Sequence, residues 1–365
     1  MNLSSLARLA LCGMIVSSGV KTAFADAIYS FTTIDYPGAA VTRASGVNAT
    51  GQIVGSFDDT SGLTHGFLDI GGRFVQLDHP GTRCSSLPCG TSAGGINDSG
   101  QIVGGFHDQI GSHGFLYSGG SFSTIDFPGA VGQTTASGIN DTGQIVGGFA
   151  LSIFVGGCFL YSGGSFTAIN VPHAEGCGIN NSGQIVGDFY DGGPNRGFLY
   201  SGGSFTTIAV PGASFTFARG INDAGEIVGS YFDAAMNLYG FLEKGGSFTT
   251  INVPGAQFTA ASGINDGGEI TGTFQDASGV HGFVATPVPE PGSLTLTAPA
   301  VFLMGLFALA RRRGIGMTQR KPIVPAPTSV RPAMVLASTN IQPRKLRLGA
   351  VAIFNLIGIG SENPE

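Results

Sequence analysis

One sequence unit of about 43 residues occurs six times between Ile28 and Ala285. Each copy contains a Gly-(Ile or Val)-Asn triplet, whose asparagines are Asn48, Asn97, Asn140, Asn180, Asn222 and Asn265. A phenylalanine follows each asparagine by 18 or 19 residues, so the insertions between copies lie outside that half of the unit. A period of this length is typical of propeller blades and solenoid coils. The repeat therefore predicts a fold made of similar supersecondary units.

Composition and local pattern indicate that each unit consists of strands. The chain contains 61 Gly, 27 Phe and no Trp. Glycine destabilises a helix interior by about 1 kcal/mol per residue, whereas tight turns and closely packed strands favour it. In the third copy the pattern predicts strands over residues 121–126, 136–140, 144–149 and 158–161. Four strands in each of six units predict an all-β, six-bladed β-propeller, because radial closure protects strand edges.

The two ends of the repeat region provide a test of this fold. In a propeller, one blade has to combine Ile28–Asp35 with strands from His281–Ala285. The alternative is a β-solenoid, in which these two segments lie far apart.

A glycine in the middle of the third predicted strand of the unit recurs in every copy, at Gly55, Gly104, Gly147, Gly187, Gly229 and Gly272. We interpret its missing side chain as allowing a neighbouring sheet to approach.

The segments on either side of the repeats predict export. Residues 1–25 have the basic start, apolar stretch and small-residue cleavage site of a secretory signal peptide, and 26–286 form the repeat domain. Residues 287–313 contain Val288-Pro289-Glu290-Pro291, an uncharged helix over 294–310, and Arg311-Arg312-Arg313. The helix is long enough to cross the inner membrane, with the arginines in the cytoplasm. Residues 314–365 form a basic tail that reads as disordered or as read-through of the natural end of the gene.

This C-terminal trio of Pro-Glu-Pro, short apolar helix and arginine cluster resembles the PEP-CTERM sorting signal of Gram-negative bacteria. The resemblance implies an exosortase as the processing partner, which cuts near Pro289, Glu290 and Pro291. The protein is then anchored only transiently in the inner membrane before it reaches the cell surface or the medium. Such proteins are common in bacteria that make exopolysaccharide and form biofilms.

The repeat unit itself, with its Gly-Ile-Asn-Asp-x-Gly-x-Ile-Val-Gly core, resembles the HAF family of extracellular repeats. A following His-Gly-Phe stands at His65, His113 and His281, while Cys158, Arg196 and Tyr239 occupy the histidine position in the other copies. The resemblance implies a repeat fold and a surface or secreted location. It implies no activity that could be assigned to particular residues.

Three sets of residues are candidates for a site or a cross-link. The repeat turns at Asn97, Asn140, Asn180, Asn222 and Asn265 offer too few acids for calcium, so we predict Asx turns. The histidine position varies between copies and lacks close ligand spacing, so we predict no metal site and no cofactor. After export, Cys84, Cys89, Cys158 and Cys177 are even in number, which predicts that they form disulfides, with free thiols as the alternative. Cys84 and Cys89 lie close together in one loop, and Cys158 and Cys177 lie in two loops that a disulfide could bridge; the sequence leaves the pairing open.

The sequence favours a binding function over a catalytic one. Residues 26–286 carry six basic and 20 acidic side chains, a net charge of −14 that argues against nucleic acid as a partner. No His-Glu-x-x-His metalloprotease motif is present. We therefore predict a non-catalytic surface or matrix protein that binds exopolysaccharide or a surface protein. The alternative is a secreted polysaccharide hydrolase or lyase, whose candidate residues are Asp58, Asp59, His107, Asp108 and Asp191.

Overall fold

The computed structural model describes residues 29–83, 89–152, 155–171 and 173–288. Within these ranges every regular element is a β-strand, as the sequence predicted, and none of the residues forms an apolar helix of membrane-spanning length. The predicted signal peptide, the sorting signal after Val288 and the basic tail lie outside the described residues.

Twenty-four strands in the described ranges form six similar four-stranded blades. Strand β1 spans Tyr29–Ile34. The first blade contains β2 (Val41–Val47), β3 (Ile53–Asp58), β4 (Thr64–Ile70) and β5 (Arg73–Leu77). The second contains β6 (Thr91–Ile96), β7 (Ile102–His107), β8 (Ser112–Ser118) and β9 (Ser121–Ile125). The third contains β10 (Thr134–Ile139), β11 (Ile145–Ser152), β12 (Val155–Ser162) and β13 (Ser165–Ala168).

The second half of the repeat region continues this pattern. The fourth blade contains β14 (Glu175–Ile179), β15 (Ile185–Phe189), β16 (Arg196–Ser201) and β17 (Ser204–Ile208). The fifth contains β18 (Phe215–Ile221), β19 (Ile227–Phe232), β20 (Leu238–Lys244) and β21 (Ser247–Ile251). The sixth contains β22 (Phe258–Ile264), β23 (Ile270–Gln275), β24 (Val280–Pro287) and, as its outermost strand, β1.

Pairing between β1 and β24 closes the ring. The two strands are antiparallel, with Tyr29 opposite Pro287 and Ile34 opposite Gly282. The first and last segments of the repeat region therefore share one blade, which confirms the propeller and shows that the solenoid alternative is wrong. The strands form five hydrogen-bonded sheets and not the six separate sheets expected. The difference arises because one parallel bridge between Val41 and Val280 joins the sixth and first blades into an eight-stranded sheet.

The first strand of each blade lies innermost. These six inner strands (β2, β6, β10, β14, β18 and β22) are neighbours around the axis and enclose a central channel. The turns that follow them contain the repeat asparagines and lie at one end of the channel, which we call the turn face. The longer connections lie at the opposite end, which we call the loop face.

Apolar contacts between adjacent blades form the core. Val54 of the first blade, for example, packs with Ala93 and Phe115 of the second. The third strand of each blade (β4, β8, β12, β16, β20 and β24) carries the repeated phenylalanine. This side chain is fully buried in every blade, at Phe67, Phe115, Phe159, Phe198, Phe241 and Phe283. Burying one such ring contributes about 1.5–3 kcal/mol, so the repeated phenylalanine is a main source of stability.

The mid-strand glycine makes its close contacts within its own blade. Our interpretation that its missing side chain allows a neighbouring sheet to approach is therefore wrong. A Cβ atom built on Gly147 of β11 would collide with the carbonyl oxygen of Thr135 in β10 and lie 2.9 Å from the Phe159 ring. Strand β10 has a register shift between Ala136 and Gly138, which brings its backbone towards this position. The missing side chain therefore accommodates an irregular inner strand and the buried phenylalanine together.

Candidate functional site

The repeat asparagines form a closed hydrogen-bonded ring at the turn face. The side-chain Nδ2 of each one donates to the backbone carbonyl oxygen of the next at 3.0–3.2 Å, and Asn265 donates to Asn48. All six side chains are buried. In Asn140 the Oδ1 atom also accepts the backbone N–H of Gln144, as in an Asx turn. These residues connect the blades to one another and have a structural role.

A second, exposed ring of polar groups surrounds the asparagines. In each of these groups, the side-chain Oδ1 accepts the backbone N–H of the equivalent residue in the preceding blade. The accepting residues are Asp98, Asp141, Asn181, Asp223 and Asp266. Ala49 lacks an oxygen for this role. Within the described residues no group of three or more His, Cys, Asp or Glu is arranged to hold a metal ion.

The histidines of the His-Gly-Phe segments lie near the loop face, and each one contacts two aspartates. In the second blade, Nδ1 of His113 lies 2.9 Å from Asp126, and Nε2 lies 3.2 Å from Asp108. In the first blade His65 contacts Asp78 and Asp59 in the same way. In the sixth blade His281 contacts Asp35 and Asp276. In the fourth blade Arg196 takes the histidine position and forms an ion pair with Asp191. In four of the six blades this position therefore carries a basic side chain paired with an aspartate.

We expect the stability of the protein to depend on pH through His113. Burial lowers the pKa of this residue, but hydrogen bonds and charge interactions with Asp126 and Asp108 outweigh burial and raise it. A raised pKa stabilises the fold fully below the ordinary value of about 6.5, and this contribution is lost as the pH rises through the raised value. Neighbouring His79, whose pKa is lowered by burial and by His113, is a second titrating group here.

Thermal unfolding of the wild type and of His113→Gln between pH 5 and 8 measures this contribution. The wild type should lose more stability than the variant as the pH rises, because glutamine has no proton to lose. Parallel curves for the two proteins would contradict the prediction.

Two of the predicted cysteines join adjacent blades. Cys158 in β12 and Cys177 in β14 form a disulfide with their Cα atoms 6.4 Å apart. Cys89 is also disulfide-bonded, while Cys84 lies outside the described residues. The bond at Cys177 fixes the inner strand of the fourth blade two residues from Glu175.

The fourth blade departs from its sister copies at the level of this inner strand. Glu175 and Asp188 are directly opposite in the β14–β15 ladder, so their side chains lie on the same face of the blade. The matching second-strand position in the other blades carries only small residues, namely Ser56, Gly105, Gly148, Ser230 and Thr273. Asp188 is 1% exposed and forms an ion pair with Arg219 of the fifth blade. Three charged groups therefore meet where sister copies are mostly uncharged.

The surroundings of this cluster alter its acidity. Burial raises the pKa of Asp188, and the Arg219 guanidinium offsets only part of that shift. Burial and the negative charge of Asp188 raise the pKa of Glu175, with Arg219 opposing. The Glu175 side chain is exposed to solvent, whereas Asp188 opposite it is buried. Shifted pKa values of this kind are typical of functional sites.

Two aromatic rings extend the cluster towards the loop face. His173 precedes Glu175 by two residues, and Tyr190 follows Asp188 by two, so antiparallel pairing brings them to the same end of the blade. Their ring centroids are 6.5 Å apart in an edge-on arrangement, and Tyr190 is 47% exposed. We call Glu175, Asp188, Arg219, His173 and Tyr190 the blade-four cluster.

The aspartates nominated for catalysis form no comparable group. Asp58 forms an ion pair with Arg43, while Asp59 and Asp108 contact the histidines of their own blades. Asp191 forms an ion pair with Arg196, and His107 is exposed at the end of β7. Sequence reasoning missed the blade-four cluster, although the replacement of a small residue by Asp188 in the fourth copy was a visible signal.

No family model and no curated protein matches this chain. Several solved structures resemble it at low identity. A six-bladed fungal lectin from Aleuria aurantia is 15% identical, with 72% of this chain and 100% of the lectin covered and a TM-score of 0.41. Trypanosoma rangeli sialidase is 8% identical, with 78% of this chain and 60% of the sialidase covered and a TM-score of 0.42. TolB from Acinetobacter baumannii is 13% identical, with coverage of 68% and 63% and a TM-score of 0.43.

Proposed function

We propose that this protein is an exported, non-catalytic repeat protein of the cell surface or extracellular matrix that binds a glycan at its loop face. The observation that carries the proposal is the blade-four cluster, which concentrates charged and aromatic groups in one copy of an otherwise uniform repeat. The exposed ring of Tyr190 offers a flat apolar face with a polar tip. Glu175 and Arg219 offer an acceptor and a donor for hydroxyl groups.

Charge favours an uncharged or basic glycan. The repeat domain carries a net charge of −14, which disfavours the approach of a polyanionic chain. Of the charged members of the cluster, Asp188 and Arg219 are paired, which leaves Glu175 as the exposed charge. Neutral exopolysaccharide is therefore the ligand class that we propose.

Export and processing complete the proposal. The signal peptide delivers the chain across the inner membrane, and an exosortase then cuts near Pro289, Glu290 and Pro291. Because Tyr29 lies opposite Pro287, both ends of the domain leave it at the turn face. The segment to be cut therefore begins beside the turn face, away from the blade-four cluster.

A polysaccharide hydrolase or lyase is the second candidate. It is favoured by the Glu175–Asp188 pair and by the raised pKa of Glu175, which suits a general acid. Most glycoside hydrolases need two accessible carboxyl groups that flank the scissile bond. Asp188 is 1% exposed and paired with Arg219, so only one carboxyl group of this pair is accessible. Binding is therefore the better supported function.

The full chain can be tested for binding to the exopolysaccharide of the producing bacterium, while released reducing ends are assayed in parallel. We expect saturable binding without new reducing ends, and an affinity about tenfold or more lower in Tyr190→Ala, a loss of about 1.4 kcal/mol. Ile110→Ala is the matched control, because Ile110 is 80% exposed on the loop of another blade. Unchanged binding by Tyr190→Ala would overturn the assignment of the site. New reducing ends would support the hydrolase or lyase.

A further inference from the structure

A cavity lies in the channel wall where the fifth, sixth and first blades meet. It measures about 460 Å³ including the solvent at its mouth. Its polar lining consists of Arg43, Ser45, Arg219, Ser230, Ser262 and Thr273, and three alanines complete it. Arg219 also belongs to the blade-four cluster, so the cavity and the cluster share this residue.

The charges in the cavity are balanced in pairs. Arg43 forms an ion pair with Asp58 at 3.0 Å, and Arg219 forms one with Asp188. Both described hydrogen bonds of the Arg219 guanidinium, to Asp188 and to the carbonyl oxygen of Ala218, use Nη1, and the group also lies over the Phe217 ring. Its other nitrogens remain able to donate towards the cavity. A site with paired charges and directional donors suits an uncharged polar ligand, because an added charge would lack a counter-charge.

Two hydroxyl groups line the cavity without a hydrogen-bond partner among the described residues. The residues that carry them are largely buried, Ser230 at 4% exposure and Thr273 at 6%. Neither oxygen is among the described side-chain atoms that are both fully buried and unpartnered, so both hydroxyl groups are open to the cavity. These groups therefore point to an occupant that both donates and accepts hydrogen bonds.

We infer that this cavity receives the terminal, uncharged sugar unit of the bound glycan, so that the protein recognises a chain end. The inference rests on the proposed function and extends it to the ligand class. A sugar offers several hydroxyl groups, each of which can donate to one partner and accept from another. Residues of three blades line the cavity, which suits a single sugar unit that is contacted from several sides. The following units then extend over Arg219 and Glu175 towards Tyr190.

Binding of single sugars to the full-length protein tests this inference. Glucose, galactose, mannose, fucose and N-acetylglucosamine are titrated by ligand-observed NMR, with glucuronate and glucosamine as charged comparators. At least one neutral sugar should bind saturably and more tightly than either charged one. Ser230→Ala and the isosteric Thr273→Val should each weaken that binding about tenfold, as loss of one good hydrogen bond does.

Ser56→Ala is the matched control. Ser56 occupies the equivalent position in the first blade and is equally buried, but it lies outside the cavity, so its loss should leave sugar binding unchanged. Preference for a charged sugar, or equal binding by all three variants, would overturn the inference. So would binding of the polysaccharide that depends on Tyr190 without any binding of single neutral sugars, although the proposed function would then stand. Absence of any glycan binding would overturn both.

Discussion

Replacing Gly147 with alanine is expected to lower the free energy of unfolding by about 3 kcal/mol or more. The added Cβ would collide with the carbonyl oxygen of Thr135 and press on the buried Phe159 ring, 2.9 Å away. The carbonyl belongs to an inner strand held on both sides by neighbouring blades, so the backbone cannot move without disturbing the channel. For a domain of this size, the melting temperature should fall by roughly 6–12 °C.

Gly148→Ala is the control, because it makes the same chemical change one residue further along β11. A Cβ at Gly148 would meet only the Thr135 side-chain hydroxyl at 3.6 Å, an ordinary contact. This variant should therefore unfold close to the wild type in thermal melts followed by circular dichroism. Similar melting temperatures for the two variants would show that the collision, and the packing explanation of the repeated glycine, is wrong.

Replacing Asn140 with aspartate should destabilise the propeller by about 3 kcal/mol at neutral pH. The side chain is 3% exposed, and its Nδ2 donates to the carbonyl oxygen of Asn180 at 3.1 Å. A carboxylate would place negative charge against that oxygen and against Oε1 of Gln144. The new carboxyl group should have a raised pKa, so the deficit should shrink as the pH falls through that raised value and be smallest at about pH 4 and below, because protonation restores a donor.

The reverse substitution at the equivalent exposed position of the second blade, Asp98→Asn, controls for the change of charge. Asp98 is exposed, and Oδ1, which accepts the N–H of Ala49, is retained in asparagine. The equivalent position in the fourth blade already carries asparagine at Asn181. We expect a change within about 0.5 kcal/mol in denaturant unfolding, as for most surface substitutions. If the free energy of unfolding of Asn140→Asp equals that of the wild type, the asparagine ring contributes little to the closure of the propeller.

The repeat made the strand order and the closure of this fold predictable. In the third copy the predicted strands over 121–126, 136–140, 144–149 and 158–161 match β9, β10, β11 and β12, whose ends differ by up to three residues. The pairing of the first and last segments also followed from the sequence, because the chain begins and ends at different strands of the unit. Such features depend on local pattern and on the need to satisfy strand edges, both of which are visible in one copy.

The identity of partners around the axis was not visible in any single copy. The Nδ2 donor of Asn265 finds its acceptor 217 residues away at Asn48, and each copy reads simply as an Asx turn. The cavity likewise unites Arg43, Arg219 and Thr273 from three blades. The sequence alone therefore determined the unit, its strands and its closure into a ring. Which charged and polar side chains meet in the channel was decided by the tertiary structure, because radial closure brings equivalent positions of distant copies together.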